Sequence, residues 1–82
     1  MKIKYKITQD IFGRIATNFV FKINEVKGTI YINKDKLSCN AKSMIGVLTL
    51  QLHKDEEVEI LILDTEDYKA VKDVLSLIAI EI

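Results

Sequence analysis

Proline and tryptophan are absent from these 82 residues, cysteine and histidine occur once each, and glycine occurs three times. The single Cys39 excludes an internal disulfide framework and suits a reducing compartment. A lone Cys39 and a distant His53 offer no metal-ligand spacing. Asp55-Glu56-Glu57 lacks the alternating oxygen ligands and glycine of a calcium loop, so it reads as a solvated turn. No metal or other cofactor is expected. An excess of either charge is lacking too: 12 Lys plus Arg balance 12 Asp plus Glu. That balance argues against nucleic acid held on a basic face and against an anionic membrane surface. No apolar run approaches the roughly 18 residues of a membrane span. Met1-Lys2-Ile3-Lys4-Tyr5-Lys6 alternates charged with apolar side chains, unlike a secretory signal. There is no repeat, low-complexity tract or linker. The expectation is one soluble, cytoplasmic domain over residues 1–82.

What is present is a core. Hydrophobic residues make up 49% of the chain, and a domain of this size buries about 60–65% of its unfolded surface. Lys2 to Ile7 alternates strictly, which predicts a strand with one buried face and Lys2, Lys4 and Lys6 on the other. From Arg14 the apolar residues Ile15, Ala16, Phe19, Val20 and Ile23 fall on one helical stripe. Gly28 lies just beyond, as a stop or turn residue. Thr29 to Asn33 reads as a β-branched strand, joined through a polar turn to a hairpin partner over Lys36 to Asn40. Ser43 is a candidate N-cap for a short apolar helix running to Leu50. Val58 to Leu63 has the continuous apolar character of a central strand. Asp64 or Thr65 caps a last helix, with Glu66 and Asp67 in its first turn and Val71, Val74, Leu75 and Ile78 on its stripe. The order βαββαβα predicts an α+β open-faced sandwich: a four-stranded, mainly antiparallel sheet with helices on one face. The strand Lys2 to Ile7 is taken as exposed, leaving sheet-edge dimerisation or domain swapping open. The sequence does not decide the oligomeric state.

Within this order, Asp10-Ile11-Phe12-Gly13-Arg14-Ile15-Ala16-Thr17 resembles the active-site segment of HPr, the histidine-containing phosphocarrier of the bacterial sugar phosphotransferase system. There the pattern is Gly, aliphatic, His, Ala, Arg, Pro, Ala, Thr. Asn40-Ala41-Lys42-Ser43-Met44-Ile45-Gly46-Val47-Leu48 resembles the family's regulatory-serine segment, in which Lys-Ser precedes apolar residues and Gly. The two motifs stand at the family's spacing, and the resemblance covers essentially the whole chain. The departures are Phe12 at the phosphorylated His position, Ile15 for Pro, Asp10 for Gly and Gly13 for Ala. A phosphocarrier needs an imidazole nitrogen as nucleophile, and a benzyl ring has none. His53 falls in the loop before the last predicted strand and does not replace it. Phosphohistidine transfer is therefore not expected, and the chain looks like the His-lacking paralogue that acts in catabolite repression. It is not expected to be an enzyme.

The resemblance implies a role for each matching residue. Arg14 is an anion contact, against the plainer reading of an exposed helix residue paired with Asp10. Ser43 is a phosphorylation site for an ATP-dependent serine kinase, against the plainer reading of a cap worth roughly 1 kcal/mol. A phosphate at a helix N-terminus is favoured by the dipole and adds about −1.5 to −2 charges. Ile11, Phe12, Arg14, Met44, Ile45 and Leu48 would form a docking face for protein partners: the kinase, a transcriptional regulator or a phosphotransferase-system enzyme. Of these, Leu48 is the one that helical amphipathicity assigns to the core instead, while Phe12 and Met44 are expected at the interface. Two alternatives stay open: a phosphoryl carrier with an unusual acceptor such as Asp10, and an interaction domain indifferent to phosphorylation. Neither Asp10 nor Thr17 has an activating base nearby in sequence. Cys39 reads as a buried small hydrophobe.

Overall fold

Lys2–Ile7 forms β1, Thr29–Lys34 β2, Leu37–Asn40 β3, Glu57–Leu63 β4 and Ala79–Glu81 β5. Gly13–Ile23 forms α1, Met44–Leu50 α2 and Tyr68–Leu75 α3. The computed structural model describes all 82 residues.

Every strand pair is antiparallel, and the sheet order is β3-β2-β4-β1-β5. β4 lies at the centre, as its apolar run predicts. Its Val58, Ile60 and Ile62 are buried under the helices, beside Tyr5 and Ile7 of β1 and Ile30 and Ile32 of β2. The opposite face is solvated, with Lys4 across from Glu59 and Lys6 across from Glu57. Such opposite-charge pairs contribute about 0.2–1 kcal/mol each and fix register against slippage. All 21 buried residues are apolar and form one cluster. α1 supplies Ala16, Phe19, Val20 and Ile23, the stripe read from the sequence.

Three expectations are corrected. The sheet has five strands rather than four, because Ala79–Glu81 pairs with Tyr5 to Ile7. A three-residue strand is too short to show an alternation, and the helical stripe drawn through Ile78 concealed it. α3 instead ends at Leu75, and Ile78 is buried after the turn that follows. β1 is consequently an interior strand between β4 and β5, so the sheet edges are β3 and β5. The cap of α3 is Asp67, whose Oδ1 accepts from the Ala70 amide at 3.2 Å. Asp64 and Thr65 precede it in a turn where the Asp67 amide donates to Thr65 Oγ1 at 3.1 Å. No acidic residue stands in the helix's first turn.

Gly28 turns the chain from α1 into β2 with φ +105. A Cβ there would lie 2.6 Å from Thr65 Cγ2 and 2.7 Å from the Leu63 carbonyl oxygen. Gly28→Ala combines a left-handed backbone with a backbone collision, so it is expected to lower stability by about 2–4 kcal/mol in urea denaturation. A change below about 0.5 kcal/mol would show that this turn relaxes freely.

Candidate functional site

The lead-in to α1 is fastened to the loop that leaves α2. The Ile11 amide donates to the Leu52 carbonyl at 2.9 Å, and the Lys54 amide donates to Asp10 Oδ1 at 2.9 Å. His53 lies in the same seam, its Nδ1 3.6 Å from Asp10 Oδ1. Asp10 is thereby committed to this loop and forms no pair with Arg14, contrary to the plainer reading of Arg14. Arg14 is exposed and makes no ion pair or side-chain hydrogen bond within the chain.

Phe12 is the N-cap residue of α1, in extended conformation, and supplies no side-chain cap bond. Its ring is 65% exposed. Gly13 follows with φ +55, a backbone that glycine adopts without strain. The first-turn amides of α1 thus have no side-chain acceptor and no acidic neighbour. Ile11 faces the other way. It is 4% exposed and belongs to the core, so it drops out of the docking face. The seam with Leu52 pulls its side chain inward.

Ser43 caps α2 as its position suggests. Its Oγ accepts from the Gly46 amide at 3.1 Å, its carbonyl accepts from Val47, and its own O–H has no acceptor in the chain. Gly46 lets α2 sit close to β3, since a Cβ there would lie 3.0 Å from Cys39 Cβ. Lys42 is not a free cation: its Nζ donates to the carbonyls of Val26 at 2.6 Å and Gly28 at 2.8 Å. Asn24 Nδ2 donates to the carbonyls of Val20 and Lys42, tying the end of α1 to the segment before Ser43. At the far end of α2, Lys34 Nζ donates to the Leu50 and Gln51 carbonyls and pairs with Glu56.

α2 buries Val47 and Leu50, with Met44 half-buried against the core. Ile45 is 79% and Leu48 41% exposed. The core assignment of Leu48 is therefore corrected. The buried stripe runs through 44, 47 and 50, and Leu48 falls beside it. Phe21, which the sequence reading passed over, is 70% exposed on α1. Its signal was a large apolar residue off the buried stripe. Phe21 forms a ridge between two depressions. On one side a groove of about 480 Å³ joins it to Val20 and Met44. On the other a cleft of about 880 Å³ joins it to Arg14, Leu77 and Ile78. Met44 borders the groove and Arg14 the cleft, while Thr17 and Phe21 line both.

Burial pushes the Cys39 thiol up to about 11, so it stays protonated and poorly nucleophilic. No group of three or more His, Cys, Asp or Glu side chains lies close enough to share a metal ion. No helix is long and apolar enough to cross a membrane.

The profile of the PTS-HPr family, described as the PTS HPr component phosphorylation site, matches residues 2–79. No curated protein matches the chain in sequence. Among solved structures, HPr-C-His from Thermoanaerobacter tengcongensis is similar with a TM-score of 0.83 and 24% identity, covering 95% of this chain and 90% of that one. The phosphocarrier protein HPr from Bacillus anthracis str. Ames gives 0.86 and 21%, with 95% of each chain covered. The histidine-containing phosphocarrier protein of a mycoplasma gives 0.80 and 18%, covering 94% of this chain and 90% of that one. At these identities the structural likeness speaks to the fold.

The seam also carries a titrating group. Glu56 Oε1 accepts from the His53 amide at 2.6 Å, and Oε2 lies 3.1 Å from Lys34 Nζ. The amide first, and then Lys34, holds this carboxyl below the usual glutamate value. A carboxyl depressed on folding adds stability above its unfolded pKa, and that stability is lost as pH falls through the folded value. Between about pH 6 and about pH 3, Glu56→Gln is expected to lose less stability than the parent protein in parallel urea titrations. Equal losses would show that Glu56 contributes nothing to acid sensitivity.

Proposed function

The chain belongs to the PTS-HPr family, and from that premise we propose that it is a non-enzymatic HPr-like regulatory protein without phosphohistidine transfer. It acts as a single domain in the cytoplasm, is switched at Ser43, and docks onto protein partners. The observation that carries this reading is Phe12, an exposed phenyl ring at the N-cap of α1, where the family's phosphorylated histidine would stand. A phenyl carbon offers no lone pair for attack on phosphorus. The other oxygen nucleophiles of that segment are engaged within the chain, Asp10 Oδ1 accepting from the Lys54 amide and Thr17 Oγ1 donating to the Gly13 carbonyl.

Ser43 suits a switch on three counts. Its hydroxyl proton is uncommitted, its oxygen already faces the first amides of α2, and it is not fully buried. In the proposed step the serine Oγ attacks the γ-phosphorus of ATP, the bond to the ADP oxygen breaks, and the kinase takes the proton. The added charge of about −1.5 to −2 falls on a chain whose net charge is zero. The partner face comprises Phe12, Arg14, Met44, Ile45 and Leu48, and Ile45 and Phe12 are the most exposed of its apolar members. Arg14 serves there as an anion contact. Candidate partners are an HPr-type serine kinase, a transcriptional regulator or a phosphotransferase-system enzyme. The same exposed apolar side chains would equally serve a docking domain indifferent to phosphorylation, which is the second reading.

Intact mass decides between them. With ATP and an HPr-type serine kinase, the protein is expected to gain one phosphate that Ser43→Ala abolishes. With phosphoenolpyruvate and the general phosphotransferase enzyme it is expected to gain none. Ser43→Ala should fold, at a cost of about 1 kcal/mol for the lost cap. An adduct from phosphoenolpyruvate would instead establish an unusual acceptor. No adduct in either sample would leave the phosphorylation-independent docking domain.

A further inference from the structure

A cleft lies between α1 and the turn joining α3 to β5. Its volume of about 880 Å³ lies within the range of small-molecule sites. Ile15 and Phe21 of α1 face Leu77 and Ile78 of the turn across it. The walls are held by the fold. The Thr8 amide donates to the Ile78 carbonyl, and Gln9 Nε2 donates to the Leu77 carbonyl, both at 2.9 Å. These bonds fix the turn against the segment that leads into α1, so the cleft exists before any ligand arrives. Nothing in the chain occupies the apolar surface, and Leu77 and Phe21 remain exposed on its rim.

Arg14 is the one charged residue among the nine that line this cleft. It stands at the start of α1 and has no partner in the chain. A cleft whose exposed lining is mainly apolar, with the neutral polar Thr17 and Asn18 and one unpaired guanidinium, complements an apolar body with one negative head. We propose that this cleft binds a small amphiphilic carboxylate, its head on Arg14 and its acyl or aryl body along Phe21 and Leu77. A planar carboxylate matches the two-pronged guanidinium in charge and in shape. The single guanidinium matches the one charge of a carboxylate, and the lining holds no second cation for a phosphate dianion. The site shares Arg14 with the proposed partner face, but none of Ser43, Met44, Ile45 or Leu48 lines it, so octanoate binding and Ser43 phosphorylation are read separately.

Amide-resolved NMR titration of the full chain tests this with sodium octanoate, octyl phosphate, 1-octanol and sodium acetate as probes. Octanoate is expected to shift the amides of Arg14, Phe21 and Leu77 in a saturable way, with a dissociation constant on the order of 0.1–1 mM. Octanol and acetate should each bind about 5- to 10-fold more weakly, lacking the head or the body. Arg14→Gln, at an exposed position, should bring octanoate down to the affinity of octanol and leave octanol unchanged. Phe21→Ser should weaken octanoate and octanol alike. Equal binding of octanoate and octanol, shifts centred on Met44 instead, or no saturation below micelle formation would each overturn the site. Octyl phosphate binding more than about tenfold tighter than octanoate would overturn the carboxylate assignment.

Discussion

The alternation of Val58, Ile60 and Ile62 along β4 is the constraint from which the rest of the structure follows. β4 pairs with β1 on one side and β2 on the other, so its register sets theirs. A slip of one residue would carry Glu57 and Glu59 under the helices and move three core side chains into water. The burial of unpaired carboxylates in an otherwise wholly apolar core forbids that. With the register fixed, the helices have one surface on which to pack. The segments that lead into them are then positioned by backbone hydrogen bonds rather than by their own stiffness.

Those segments are held by long polar side chains that reach across the fold. Lys42 gathers the carbonyls left open after α1, Lys34 gathers those left open after α2, and Asp10 accepts from the α2–β4 loop. Helix ends leave unpaired carbonyls, and a lysine ammonium satisfies two at once. Lys34 and Lys42 are thereby occupied structurally. Among the cations that make no ion pair or side-chain hydrogen bond, Arg14 stands out because it is the one that lines the cleft beside α1. The two helix N-termini also differ in kind. α2 is closed by a serine hydroxyl, whereas α1 begins at an exposed ring that caps nothing.

Much of this was legible in the sequence. The α1 stripe, the central strand and the Ser43 cap rest on patterns long enough, or chemistry specific enough, to stand alone. The α3 cap was displaced to Asp67 because Asp64, Thr65 and Asp67 are all good caps, and only the turn geometry chooses among them. The family resemblance set Ile11 on the docking face and helical period set Leu48 in the core, and neither shows which neighbour covers a side chain. Leu52 draws Ile11 in, and no element covers Leu48. β5 and the His53–Asp10 contact join residues far apart in sequence, and no local pattern announces such a meeting. Phe21 was visible as an apolar residue out of phase, and its role as a ridge emerged only with α2 and α3 in place.

The position of β1 bears on how the chain is made. Its hydrogen-bonding partners are Glu57–Leu63 and Ala79–Glu81, both far downstream. β1 therefore has no mate until the final third of these residues has left the ribosome. Non-local pairing of this kind slows folding relative to helical neighbours. Synthesis proceeds at about 5–20 residues per second, so α1 and the β2–β3 hairpin have seconds to sample structure before β1 can join them. During that interval Lys2, Lys4 and Lys6 give the waiting strand a charged face, which discourages it from pairing with a strand of the wrong chain.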